Sequence, residues 1–429
     1  MELFDLARDV LAEGEVCDHC LGRRFASLSH GLGNDERGRA LRVAVALDDD
    51  VEFERPEGCW VCDGVFDDVD VWAGRVVEAF EGWGFDGFLV GTRVPPLIEE
   101  NERLLDEVVG SEHAEEFKRE FNREVGRRVE ADVDAEVEFE RPDVVALLDL
   151  ASDGVDLQVN PVFYLGRYRK LSRDLPQTNW TCHSCDGTGS VDDVECDVCG
   201  GSGSPYDDSV EGYVAPAFLG ATEGTEAVFH GAGREDVDAR MLGRGRPFVL
   251  EVKRPRHRDV DLDAVEREIA EHSDGAVEVT GLRRVEGTAV EEVKRGDADK
   301  RYAAYVEFGE AVDAGALDDA LSSLAGEVAQ RTPWRVEHRR ADRTRERRVH
   351  EIVGHPIDDV DPDADHDAVD ESRYAYVEVE AEGGLYVKEL VSGDEGRTSP
   401  SLAGLLGVDA SVVALDVLDV DLDLDEVSG

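Results

Sequence analysis

One stretch of this chain sets a lone acid among cations. In Gly231-Ala-Gly-Arg-Glu-Asp-Val-Asp-Ala-Arg-Met-Leu-Gly-Arg-Gly-Arg-Pro-Phe248, Asp236 follows a Gly-Arg-Glu turn and precedes an arginine-rich, glycine-hinged loop. A carboxylate so placed can act as a nucleophile, while Arg234, Arg240, Arg244 and Arg246 hold phosphates. Asp238 lies two residues on, so order alone leaves a second candidate. A plain surface turn of Gly, Asp and Arg is the competing account, and the rest of the chain must decide.

The eight cysteines supply a second chemistry. They form four Cys-x-x-Cys pairs, Cys17/Cys20, Cys59/Cys62, Cys182/Cys185 and Cys196/Cys199. Such a turn aims two thiolates at one tetrahedral ion, and two turns complete a structural zinc site. Proximity along the chain joins the first two pairs, and likewise the last two. Disulfides are not expected in a cytosol, and redox catalysis normally uses one such pair. His19 and His183, inside the knuckles, read as exposed loop residues rather than ligands.

A third signal is the run from Gln330 to Arg348, which holds Arg331, Arg335, Arg339, Arg340, Arg343, Arg345, Arg347 and Arg348. It stands out because the 429-residue chain carries 100 Asp plus Glu against 46 Lys plus Arg, a net charge of -54. A polyanion repels nucleic acid on usual rules. Yet its only lysines are Lys118, Lys170, Lys253, Lys294, Lys300 and Lys388. Acidic surfaces poor in lysine suit molar internal salt. There the Debye length is roughly 3 Å and net charge no longer governs encounter. The charge therefore reads as habitat, and the arginine run as an RNA-backbone contact. No apolar run reaches the roughly 20 residues that span a bilayer, and no signal-peptide pattern opens the chain. A cytoplasmic location with no membrane partner is expected, and nothing calls for more than a monomer.

The elements that must position these groups read as α+β. Val71–Trp83 is apolar at helical spacing, Phe85–Thr92 reads as a strand, and Ser111–Val129 is an amphipathic helix. Val133–Phe139 alternates, Asp143–Leu150 is apolar, and Asp156–Tyr164 alternates again. Farther on, Phe248–Lys253, Val277–Val285, Ala303–Phe308 and Tyr374–Val379 read as strands. Val260–Ala270 and Val312–Ala329 read as helices, and Asp358–Asp370 as a solvated loop. The Leu/Val and Asp alternation of Leu415–Leu424 suggests an edge-like strand.

These segments carry a resemblance. The Asp236 stretch is similar to the catalytic-aspartate motif of pseudouridine synthases. Its longer form, with Val237, Asp238 and Gly245-Arg-Pro-Phe248, resembles the archaeal and eukaryotic Pus-ten family, which isomerises uridines in the TΨC arm of tRNA. Lys300-Arg-Tyr302 resembles the tyrosine motif of the superfamily. Gly383-Gly-Leu-Tyr-Val-Lys388 resembles the motif that sets a tyrosine and a cation beside the aspartate, with Leu385 where Thr is usual. Gly393–Ser401 matches as well. The resemblance implies Asp236 as nucleophile, because it is fourth in Gly-Arg-x-Asp. It implies Lys388 as the cation that keeps Asp236 ionised, and Tyr302 and Tyr386 as the rings that receive the uracil.

Phe88-Leu-Val-Gly-Thr-Arg93 and the stretch from Gln158 to Lys170 are similar to the THUMP-containing half of that family. THUMP domains hold tRNA acceptor ends, which makes Arg167, Arg169, Lys170 and Arg173 candidate RNA contacts. The implied layout is a zinc module over 1–65, a THUMP-like tRNA-binding domain over 66–176 and a second zinc knuckle over 177–204. A mixed-sheet pseudouridine synthase domain follows over 205–429. The implied partner is tRNA at uridines 54 and 55. No cofactor is needed for catalysis, and zinc is structural.

Two rivals remain at this stage. Cys182–Gly189 with Cys196–Gly203 also looks like two repeats of a DnaJ-type zinc region, which suggests a non-catalytic tRNA-binding or chaperone-like module. Such chaperones carry four repeats and a His-Pro-Asp loop, whereas here His355-Pro356 is followed by Ile357. Another THUMP-bearing modifier would need a Gly-rich cofactor loop after a strand, and Gly231-Ala-Gly-Arg-Glu-Asp lacks that pattern.

Overall fold

The computed structural model describes residues 3–295, 298–337, 341–364, 366–425 and 427. They form two compact units. The first comprises Met1–Pro161 with Arg254–Arg258, and the second Val162–Lys253 with Asp259–Gly429.

The first unit opens with helices α1 (Leu3–Ala12), α2 (Asp18–Gly22) and α3 (Asn34–Asp48), followed by α4 (Val69–Phe80) and β1 (Gly87–Arg93). Then come α5 (Pro96–Val109), α6 (Phe117–Asp132), β2 (Glu136–Val137), β3 (Val144–Asp149) and β4 (Gly154–Val159). Its sheet runs β2-β1-β3-β4, with β1 parallel to β2 and β3, and β4 antiparallel to β3. Phe88, Val90 and Thr92 point inward at every second residue of β1, and Phe117, Phe121, Val125 and Val129 at every fourth of α6. Cys20 and Cys62, both fully buried, belong to the same apolar core as Phe66, Phe88 and Phe121. The module expected over 1–65 is thus not a separate unit, because its cysteines share one apolar core with residues of α4, α6 and β1. Arg258 closes this unit, donating to the carbonyls of Asp143 and Asn160, and Arg256 lies 4.7 Å over the Trp83 ring.

The second unit begins at β5 (Val162–Lys170), where the reading of Asp156–Tyr164 as one strand fails. Asn160-Pro161 breaks it, and β5 pairs antiparallel with strands of the second unit. The boundary expected at 176 accordingly falls after Pro161. A small hairpin follows, β6 (Ser190–Val191) and β7 (Val194–Glu195), and then α7 (Val210–Thr222) and β8 (Glu226–Gly231). The chain continues through β9 (Met241–Lys253), α8 (Leu262–His272), β10 (Val277–Val285), α9 (Ala289–Arg295) and β11 (Asp299–Asp313). Next are α10 (Ala314–Leu324), β12 (Gly326–Arg331), β13 (Thr344–Ile357) and β14 (Glu371–Ala381). The end is built from α11 (Val387–Ser392), β15 (Thr398–Ser399), α12 (Leu402–Leu406) and β16 (Ala410–Asp421).

Among the described residues ten of these strands form one sheet, ordered β10-β5-β9-β16-β11-β14-β13-β12-β15 with β8 also paired to β9, while β6 and β7 pair only with each other. The helix expected over Val312–Ala329 stops at Leu324, and Gly326 opens a strand instead. Strand β16 is not an edge. It lies between β9 and β11, and its Asp416, only 1% exposed, is held by Arg173 and Arg240. Alternating charge marks an edge only when the charged face meets water, and here two arginines cover it. No described helix is long and apolar enough to cross a membrane.

Candidate active site

Asp236 sits on the connection between β8 and β9, antiparallel strands that run from Glu226 opposite Lys253 to Gly231 opposite Phe248. The loop is gripped from beneath. Glu235 is buried, and its carboxylate accepts from the Tyr168 hydroxyl at 2.9 Å and from Arg246 Nε at 2.8 Å. Arg246 also donates to the Ala232 carbonyl at 2.8 Å. Gln177 Nε2 donates to the Tyr168 oxygen at 2.8 Å and to the Gly233 carbonyl at 2.9 Å. Gly233 adopts φ +78°, a conformation that favours glycine, and a Cβ there would lie 3.3 Å from Arg246. Lys170, fully buried, spends its ammonium on the carbonyls of Leu175, Asp236 and Val237 at 2.7, 3.2 and 3.0 Å.

The opposite side is supplied by the end of the chain. Lys388 Nζ, in the first turn of α11, lies 3.0 Å from Asp236 Oδ2 and 3.8 Å from Asp238 Oδ2. Lys388 thus lies nearer Asp236 than Asp238. Tyr386 is fixed at the helix start by Gln330 of β12, which receives its backbone N–H at 2.9 Å and donates to its carbonyl at 3.0 Å. Arg335 lies 5.9 Å over the Tyr386 ring and donates to buried Glu389 at 2.7 Å. Arg234, Asp236, Tyr302, Arg335, Tyr386 and Lys388 all line one cavity of about 670 Å³.

Partial burial works against a charged Asp236. The hydrogen bond from Lys388, helped by Arg335 and Arg234, outweighs it and holds the carboxyl below its usual range. Burial pushes the Tyr302 phenol up, so that ring presents a neutral face to the cavity.

The arginines expected to hold phosphates divide. Arg234 is exposed at the cavity and lies 5.5 Å over the Trp180 ring. Arg246 and Lys170 do not reach the surface, and their donors are committed to Glu235 and to loop carbonyls. Arg240 is tied to Asp416, Asp363 and the Pro362 carbonyl, and Arg244 to Asp419 and Asp421. Arg167 donates to the carbonyls of Gly245, Val420 and Leu422. These five have protein partners that brace the sheet and loop, while Arg246 also lines the cavity and the Arg244 side chain is 55% exposed. Arg339 and Arg340 lie outside the described residues. The sequence reading passed over Glu235, Gln177 and Gln330, whose work is visible only once distant segments meet.

Both cysteine quartets are assembled, with the sulfurs of each within 4.8 Å of one another. Cys17–Cys62, Cys182–Cys196 and Cys185–Cys199 are 3.8, 3.9 and 3.7 Å apart. Zn–S bonds of about 2.3 Å in a tetrahedron set edges of about 3.8 Å, so both quartets fit such an ion. In the second, Gly189 N–H donates to Cys185 Sγ and Gly203 N–H to Cys199 Sγ, both at 3.3 Å. Asp192 and Asp193, both with positive φ, turn the β6–β7 hairpin between the two knuckles. His183 is exposed as expected, whereas His19 is half-buried, bonded to Glu120 at 2.8 Å and stacked on Phe66.

A family model described as "Pus10 THUMP domain, archaeal" matches residues 72–149, and one described as "Pus10, C-terminal" matches 163–421, close to the start of the second unit. The chain thus joins a THUMP domain to a Pus10 C-terminal domain. A tRNA pseudouridine synthase Pus10 from the halophile Halorubrum lacusprofundi is 53% identical over 98% of this chain and 97% of its own length. One from Methanothrix thermoacetophila is 41% identical, over 98% and 94%. The chain belongs to the Pus10 family. A solved Cbf5-Nop10-Gar1 complex is 16% identical, with a TM-score of 0.29 over 49% of this chain and 45% of that one, a likeness too low to carry a conclusion.

Proposed function

We propose that this chain is a cytoplasmic tRNA pseudouridine synthase that isomerises uridines 54 and 55 of the TΨC arm, with Asp236 as the nucleophile. The 3.0 Å contact between Lys388 and Asp236 supports this reading most, because it keeps a carboxylate ionised inside a cavity large enough for a nucleotide. The reaction breaks the N1–C1′ bond, turns the uracil, and forms a C5–C1′ bond. C5 gives up its proton and N1 gains one, so no oxidant, reductant or ATP enters. Extruding the uridine costs a few kcal/mol, which stacking on Tyr302 or Tyr386 offsets. Zinc in the two cysteine quartets is structural, held by Cys17, Cys20, Cys59 and Cys62, and by Cys182, Cys185, Cys196 and Cys199.

The test maps pseudouridine by carbodiimide adducts and primer extension on an unmodified tRNA transcript in molar KCl. Wild type is expected to give new stops in the TΨC arm and Asp236→Ala none. Stops with both proteins would move the nucleophile to Asp238 or elsewhere. No stops from a wild type that still binds tRNA would favour a non-catalytic binding module.

A further inference from the structure

Of the five tryptophans, all of them described, Trp334 alone is exposed, at 55%. Trp72 is buried, and Trp60, Trp83 and Trp180 are partly covered. The exposed indole is held firmly. Pro333 precedes it, and a single turn over Trp334–Val336 carries it. Its backbone N–H donates to Asp394 Oδ2 at 3.2 Å. The Arg397 guanidinium lies 3.8 Å from the ring centroid, and Arg397 is itself anchored to the Thr332 carbonyl at 2.6 Å and to Glu337 at 3.3 Å. A cation thus backs the ring while more than half of the side chain stays open to solvent.

Its place is as telling as its exposure. The next two residues, Arg335 and Val336, line the cavity that holds Asp236. Neighbouring Cα atoms are 3.8 Å apart, so the backbone of Trp334 adjoins that of a cavity-lining residue, although its own side chain is not part of the lining. Anything that admits one flipped nucleotide leaves its neighbour at the rim with a stacking partner missing. A fixed aromatic plane replaces that partner for any base, since every base offers a π face.

We infer that Trp334 is the platform on which the nucleobase next to the flipped uridine stacks, with Arg397 holding the ring in register. This rests on the proposed synthase function. It adds a contact outside the reacting nucleotide, and it predicts tolerance of base identity, because stacking reads no hydrogen-bond edge.

The test uses the full chain in molar KCl with a TΨC-arm hairpin carrying 2-aminopurine on one side or the other of the target uridine. Wild type is expected to quench one of the two hairpins on binding. Trp334→Ala should leave that hairpin bright and bind it about ten-fold more weakly. Trp334→Phe should keep most of the quenching and affinity, and both variants should melt with wild type because the ring is exposed. Quenching and affinity in Trp334→Ala equal to wild type would overturn the stacking role while conversion of the uridine left the synthase reading intact. A wild type that neither binds nor converts the hairpin would overturn both.

Discussion

The segment that carries Asp236 and the segment that shares its cavity differ in where their charges go. Behind Asp236, Glu235 and Arg246 bond to each other with side chains 1% and 2% exposed, and Lys170 is buried against three carbonyls. In the segment that supplies Arg335 to the cavity, Arg331 and Asp342 pair with side chains 50% and 38% exposed, Arg335 and Glu389 with side chains 44% and 6% exposed, and Trp334 is 55% exposed. The first wall is held by a pair that water does not screen, whereas the second segment has at least one end of each pair in water, where salt weakens it. A nucleophile must not move relative to the reacting carbon, whereas a surface that meets RNA gains from side chains free to adjust.

The largest effect should come from breaking the inner wall. Glu235→Ala leaves Arg246 buried without its carboxylate, and a loss of about 3–5 kcal/mol in urea unfolding at fixed salt is expected. A loss near that of a surface change would mean that water reaches Arg246, and the contrast between the walls would go.

A smaller effect, on acid sensitivity, should follow Lys388→Ala. Partial burial opposes the ionised form of Asp236, and Lys388 more than reverses this, so the folded pKa lies below the unfolded one. The ionised form and the stability tied to it are therefore present above the unfolded pKa and lost as pH falls through the folded one. Removing Lys388 should shift the acid limb of the residual single-turnover rate to higher pH. An unmoved limb would assign it to a group other than Asp236.

The smallest effect belongs to the outer wall. Arg331→Ala should leave stability within about 0.5 kcal/mol in the same urea assay, since its pair with Asp342 is half in water. A larger loss would show that the loop is as rigidly built as its counterpart.

The same divide governed what could be read in the sequence. Asp236, Lys388, Tyr302 and Tyr386 lie in short motifs, and the structure brings all four to one cavity. The quartets were legible because each Cys-x-x-Cys turn already places two sulfurs. Glu235, Tyr168 and Gln177 were not, because each looks ordinary until β5, the loop and Gln177 are packed together. Arg246 and Lys170 were read as surface cations for a related reason. Sequence shows charge but not the partner that permits its burial. Asp416 on β16 misled in the same way, its solvent-like alternation concealing two arginines.

The return of Arg254–Arg258 to the first unit bears on the order in which that unit can be finished. Arg258 caps the carbonyls of Asp143 and Asn160 from a point far downstream in the chain. On the ribosome those carbonyls emerge early and their partner arrives on the order of ten seconds later, at ordinary elongation speeds. For that interval the carbonyls of Asp143 and Asn160 have water in place of the Arg258 guanidinium.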